Sequence, residues 1–513
     1  MLFRSLAGVP VVILGQNQHY AWGFTNVMVD DTDFYVEVTD AAHPDQYYYD
    51  GEWRDMLIHE EVINVKGAEP VIQIVRETRH GPIINDVHAV LKANESAPVS
   101  MSWVGNYLTN EVDAFIGLNL ATNWDDFSNA VEKFWIPGQN MVYADLEGNI
   151  GWRPAVALPL RAPGTGLVPL PGDDPQWDWQ GFVPFDEMPY QYNPEQGYIA
   201  TANNKTIGDE FPYYISAYWE PPARANRINE MLGVPDKKYT VKDMQAIQND
   251  FLSDHARDLT PIFIDLLKDT KFSNPNMTAA VDALKSWDYI AGKNSAAAAV
   301  FNVLWVNFAY NLYGDEMDLI GEEFKDGFFK LANISIRNAI YLLEQIPNSA
   351  WFDDVATEGK VETATDILER SLAETVTQLE VEFGANIDDW HWAEMHTLTH
   401  KHPMAKVKVL DWMLDLNVGP FPAAGSGTTV NNMEYRMYDP YDVVLGPSVR
   451  HIYDFANYDK GSLSVLPTGQ SGNPRSPHYS DQAEMYNTGQ YRVFPIDEET
   501  VKNAGYKKLV MKP

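Results

Sequence analysis

Short runs of aromatic or β-branched side chains, broken by Gly, Pro and Asp, fill the first part of the chain: DFYVEV, YYYDGEW, EEVINV, PVIQIV and HAVLKA. Successive side chains of a strand face opposite ways, so these runs predict half-buried strands joined by turns. The uncharged stretch Leu6 to Gly15 holds VVIL between Pro10 and Gly15, and it predicts a buried strand. The period changes at TNWDDFSNAVEKF, where Trp124, Phe127, Val131 and Phe134 recur at helical spacing. NMVYADLEGNIGWRP then predicts a hairpin turning at Glu147-Gly148-Asn149. From Ala162 to Gly197 the chain is rich in Pro, Gly and aromatic residues with little periodicity, which predicts an ordered loop walling a site.

The middle reads as helical. Thr240 with Asp243 makes a capping-box start for TVKDMQAIQNDFLSDHA, and amphipathic patterns cover 258–269, 295–313 and 361–382. Beyond Asp389, VNNMEYRMYD, YDVVLG and SLSVLP predict strands, with a short helix at SDQAEMYNTG. Strands at both ends of a helical middle predict one α/β (α+β) body over 1–513: 1–240 mainly β, 240–385 helical, and 386–513 mixed, its late strands completing the sheet. The most apolar helical stretch, 295–314, carries Asn302, Asn307 and Asn311, which predicts a core helix and no bilayer span.

Composition narrows the chemistry. Cysteine is absent, which removes disulfides, thiolate metal sites and cysteine nucleophiles together. A net charge of −35 repels phosphate backbones and anionic lipid, so neither nucleic acid nor a membrane surface is expected as a partner. No cleavage site follows the apolar start, so no signal peptide is read in this chain. The sequence contains no G-x-S-x-G elbow, no Walker loop and no dinucleotide fingerprint.

Two side-chain clusters could hold a metal. In WHWAEMHTLTHKHP, His396 and His400 would share one face of a helix with Glu394 and His402 nearby; the segment is not H-E-x-x-H and shows no third ligand at a typical distance, so structural histidines are the reading preferred and a zinc hydrolase is the rival. In VDDTDFY, Asp30, Asp31 and Asp33 place three carboxylates in one turn, either a calcium seat or a solvated acidic turn. The turn RHGP at Arg79–Pro82 suggests no chemistry.

Read whole, GVPVVILGQNQHYAWGFTNVMVDDTDFYVE resembles the penicillin acylase family of N-terminal-nucleophile hydrolases. The resemblance continues through VYADLEGNIGWR, the proline-rich loop, NPEQGYIATANN, RANRI, TVKDMQAIQND, WHWAEMHTLTHKHP, GSGTTVN and GQSGNPRSPHYSDQ, and so covers essentially the entire chain. It implies an αββα sandwich and hydrolysis of the amide bond of small acylated substrates, beta-lactam side chains or acyl-homoserine lactones. The family nucleophile is a serine that begins the large chain after self-cleavage; its own α-amino group, with a pKa near ~7.7–8.0, serves as base. By the same resemblance the peptide N–H of Asn26 and the side-chain amide of Asn203 are the oxyanion donors, and Arg227 supports the catalytic site electrostatically. Leu14, Phe24 and Gln139 would wall the acyl pocket. Asp30, the carbonyl of Thr32, Asp33 and Asp209 would bind one structural calcium ion, while a proline that supplies a further ligand in the family falls at Gly166. The histidine segment matches a family stretch that binds no metal. Export to the periplasm is implied too.

In the family the segment beginning GVP lies some tens of residues inside the large chain, whereas here Met1 almost directly precedes it and Ser5 aligns with an interior position. The expectation is therefore a large subunit truncated before its nucleophile, whose partners are the family's small (alpha) chain and the missing large-chain start. Alone it would be inactive, an inert fragment or a binding subunit.

Overall fold

The computed structural model describes residues 9–93, 96–161, 164–330, 332–438, 440–458, 461–503, 505 and 510; Ser5 lies outside them. They divide into two compact units, Met1–Glu220 and Pro221–Pro513.

The hairpin predicted at Glu147-Gly148-Asn149 is the centre of the first unit. Gln139–Asp145 runs antiparallel to Ile150–Ala155 on one side and to Tyr20–Asn26 on the other. Gly15–Gln16 and Gln191–Tyr192 complete a five-stranded sheet. The turn closes because Asp145 Oδ1 accepts from the backbone N–H groups of Glu147 and Asn149, each at 2.9 Å, while Gly148 supplies a left-handed φ of 92°. One sheet face buries Tyr20, Trp22, Met141 and Tyr143 against Leu118, Phe127 and Val131 of the helices Glu111–Leu120 and Trp124–Val131. Asn123 caps the second helix by accepting from the Asp126 N–H at 3.0 Å.

Two predicted strands differ. Val11–Leu14 forms bends, and the ladder begins only at Gly15. Side chains satisfy that backbone instead: Val12 N–H donates to Asn119 Oδ1 at 3.0 Å, Asn119 Nδ2 to Val12 O at 2.7 Å, and Trp22 Nε1 to Ile13 O at 2.8 Å. HAVLKA is helical over Ala89–Ala93, consistent with its Ala, Leu and Lys and its single β-branched residue.

In the second unit the helix Ala296–Ile320 is buried along most of its length and packs with Asp254–Leu267, Pro275–Lys285 and Ala364–Phe383. Its three asparagines are spoken for. Asn302 Nδ2 returns to Ala298 O at 2.9 Å, Asn307 donates to Thr375 Oγ1 at 3.0 Å, and Asn311 donates to Ser371 Oγ at 3.0 Å. Among the described residues no helix is long and apolar enough to cross a membrane. The predicted capping box forms at Val241–Gln248, with Thr240 and Asp243 bonded reciprocally.

The late strands do not extend the N-terminal sheet as expected. Thr397–His400, Val418–Pro422, Glu434–Tyr435 and Val443–Leu445 form one sheet, and Arg450–Ile452, Leu463–Val465 and Arg492–Val493 another. Neighbours close in sequence pair most readily, and strands this short find partners among themselves.

Candidate functional site

The strand Tyr20–Asn26 ends in a knot of amides. Asn203 Nδ2 and Asn140 Nδ2 each donate to the carbonyl oxygen of Asn26 at 3.1 Å, and Gln139 Nε2 donates to Asn26 Oδ1 at 3.0 Å. Asn140 is fully buried, and its Oδ1 accepts from Trp152 Nε1 at 2.9 Å. Asn140 also reaches Thr25 Oγ1 at 3.3 Å, and Thr25 meets the Thr201 hydroxyl at 2.8 Å. Asn203 itself sits at φ 64°, a left-handed backbone that asparagine adopts more readily than other residues with a Cβ. That conformation is pinned from both sides: the Glu220 N–H donates to Asn203 O at 3.0 Å, and Asn204 Oδ1 accepts from the Ala202 N–H at 3.0 Å.

Asn26, Asn203 and Gln139 are thus brought together. Gln139 is buried, and its amide is occupied by Asn26 and by Pro137 O at 3.2 Å, so it braces Asn26. Leu14 and Phe24 are half-buried and pack on the Trp22–Met141 core. Sequence reading missed Asn140, Thr25, Thr201 and Trp152. The available signal was an asparagine inside a strand, where that residue is disfavoured unless its amide is used.

The acidic turn lies in the same unit. Arg161 Nε donates to Asp33 Oδ2 at 2.8 Å, and its Nη2 reaches Asp30 O at 2.9 Å and Asp30 Oδ1 at 3.4 Å. Trp179 Nε1 also donates to Asp33 Oδ2, at 2.5 Å, and the Tyr214 hydroxyl donates to Asp30 Oδ2 at 3.1 Å. Burial raises the carboxyl pKa of Asp30 above the usual range, against the pull of Arg161, and burial raises that of Asp31 as well. Asp33 is fully buried and its Oδ1 has no donor among the described residues. The backbone of Gly166, at φ 73°, lies over that oxygen so closely that a Cβ would stand 2.0 Å from it. Two carboxylates therefore share one guanidinium and leave one buried oxygen over.

Asp209 does not join them. Its side chain is exposed and pairs with Lys205 four residues earlier in the chain. Among the described residues no three Asp, Glu or His side chains converge in a way that could hold a metal.

The turn at Arg79–Pro82 carries more than sequence suggested. The His80 ring lies between carboxylates, Nδ1 facing Glu37 at 2.9 Å and Nε2 facing Asp178 at 3.0 Å, and it stacks on Tyr35 with centroids 3.9 Å apart. Asp178 also takes Tyr49 OH at 2.6 Å and Arg79 at 2.8 Å.

In the second unit, Arg227 clasps Asp250 through Nε at 3.0 Å and Nη2 at 2.8 Å, with Glu230 at 3.1 Å from Nη1. The hydrogen bonds to Asp250 raise its pKa further, so it is a permanent cation. The zinc reading of WHWAEMHTLTHKHP loses its geometry. Thr397–His400 is a strand, so His396 and His400 share no helix face. His396 is fully buried, bonded through Nδ1 to Tyr441 O at 2.7 Å and stacked on Trp392. Burial lowers its pKa to about 4. Glu394 turns to His391 at 3.3 Å.

The chain belongs to the penicillin amidase family, whose profile matches residues 4–503. It is 29% identical to the acyl-homoserine lactone acylase QuiP of Pseudomonas aeruginosa over 99% of this chain and 63% of that one. It is 26% identical to the penicillin acylase 2 proenzyme of a Pseudomonas species, over 94% of this chain and 59% of the proenzyme. The chain therefore spans only part of the length of these curated relatives. The thermostable penicillin G acylase from Alcaligenes faecalis superposes with a TM-score of 0.71 at 21% identity, covering 99% of this chain and 91% of that one. The fold is that of an N-terminal-nucleophile hydrolase, mixed helices and sheets.

Proposed function

We propose that this chain carries the oxyanion donors and acyl pocket of an amidohydrolase that cleaves small acylated molecules, acyl-homoserine lactones or beta-lactam side chains, with water as acyl acceptor. The observation supporting it is the meeting of the Asn203 carboxamide with the Asn26 peptide at 3.1 Å, held by Asn140 and by the backbone around residue 203. Dipoles fixed before reaction stabilise a tetrahedral oxyanion without reorganising, and losing one donor costs ~10²–10³ in rate. The nucleophile of this reading is an N-terminal serine with its α-amino group as base, a role that none of the residues described above takes. In this reading Arg227, a cation locked by Asp250 in the second unit, takes the part of the family's supporting arginine. A structural calcium ion on Asp30, Thr32 and Asp33, a small partner chain and a periplasmic setting belong to the same reading.

The test is amine release from N-hexanoyl-homoserine lactone and penicillin G by the protein carrying this chain, isolated from its source. Turnover by the wild type, lowered about 10²–10³-fold in Asn203→Ala, is the expected result. Undiminished turnover in the variant overturns the role of Asn203. Absence of hydrolysis of either substrate by the wild type overturns the acylase reading.

A further inference from the structure

The second unit contains a cavity of about 270 Å³ whose lining includes Asn249, Phe251, Lys293, Asn431, Met433 and Tyr486. No carboxylate lines it. Lys293 is its only charged side chain and forms no ion pair among the described residues.

Behind the wall stands a second cation with no ion pair among the described residues. Arg450 is 3% exposed, with Nη1 on Tyr486 O at 2.8 Å, Nη2 on Asn431 Oδ1 at 2.6 Å and the guanidinium 4.1 Å above the Tyr486 ring. None of these partners is an anion. A buried charge without a counter-ion is costly, so Arg450 behind the half-buried Lys293 stands out in a chain of net charge −35.

One unmet polar group marks the cavity as built for a ligand. Asn431 is 3% exposed; Arg450 takes its Oδ1, which leaves its NH₂ for the cavity, and no acceptor meets that NH₂ among the described residues. The cavity thus offers an ammonium and an amide N–H to an anion, and Phe251 and Met433 to a short apolar chain.

We infer that this cavity binds a small carboxylate with a short apolar tail. Lys293 and Asn431 take the carboxylate, and Arg450 both orients Asn431 and adds positive potential from behind.

The experiment is calorimetric titration of the full chain at constant ionic strength with butyrate and the neutral butyramide. Saturable one-to-one binding of butyrate is expected, with the neutral amide silent. K293Q should weaken binding roughly tenfold or more, because a hydrogen bond to a charged group is lost, while K293R retains it. The Lys293 side chain has no ion pair to lose among the described residues, so K293Q should melt as the wild type does. Absence of saturable binding, equal affinity for the neutral amide, or unchanged affinity in K293Q would each overturn the inference.

Discussion

Replacing Arg161 with methionine keeps most of the side-chain bulk and removes the charge. The Arg161 side chain is 5% exposed and that of Asp33 is fully buried, so neither can turn to water. The change deletes the 2.8 Å bond to Asp33 Oδ2 and the 2.9 Å bond to Asp30 O. Asp30, its side chain 20% exposed, can relieve its share by turning toward water. Asp33 would then hold two oxygens in the interior with Trp179 as its one side-chain donor among the described residues. Removing one partner of a buried pair typically destabilises by about 3–5 kcal/mol, and that range is expected for R161M. In the double variant R161M/D33N the stranded charge is gone, so the two changes together should cost less than their sum by about 1 kcal/mol or more. The assay is urea denaturation at neutral pH, with and without added calcium chloride. Calcium should recover part of the R161M loss and none of the loss in the double variant. A loss below about 1 kcal/mol in R161M, or strict additivity in the double variant, would refute the reasoning.

Three further outcomes follow from buried geometry. N140A strands the Trp152 N–H, on a ring 3% exposed, and removes one donor from Asn26 O, so a loss of about 1–3 kcal/mol is expected in thermal unfolding, with altered near-ultraviolet dichroism. His255 and His396 are buried and their pKa values pushed down to about 4 from 6.5, so the unfolded chain binds more protons between those values and stability must fall as pH drops through that window. Each contributes up to about 1.4 kcal/mol per pH unit there; the denaturation midpoint followed from pH 7.5 to 4 should lose that slope stepwise in H255F and H396F. G151A would set a Cβ 2.1 Å from the Trp124 ring, itself stacked on Phe127 and Tyr192, and should destabilise by about 1–3 kcal/mol in the same thermal assay.

Elements with a strong local period were legible in the sequence: the 139–155 hairpin, the Trp124–Val131 helix, the Thr240 capping box and the asparagine-bearing core helix all stand where their patterns put them. Misreadings came where a side chain did what a neighbouring strand usually does. Nothing in VVIL announces that Asn119, more than a hundred residues on, will satisfy Val12. The meeting of Asn26 and Asn203 was named through resemblance alone, and no spacing rule leads to the φ of 64° that aims the second amide. Arg161 was missed because an arginine in LPLRAPG looks solvated until the fold wraps Asp30, Asp33 and Trp179 around it. The helix reading of His396 and His400 failed because Thr397–His400 is taken up by the ladders to Val418–Pro422 and Val443.

The seam between Ala296–Ile320 and Ala364–Phe383 works as a key to alignment. Asn307 meets Thr375 and Asn311 meets Ser371, an antiparallel correspondence. A slip of one turn, about 5.4 Å, sets Asn307 against Leu379 in one direction and Asn311 against Ile367 in the other. Either way an amide is left facing hydrocarbon at a cost of about 1–3 kcal/mol, so the two rods have a single resting position. The aliphatic residues around them can then drift among Leu, Ile and Val without the helices losing their place, whereas exchanging both asparagines for leucine would keep the grip and surrender the alignment.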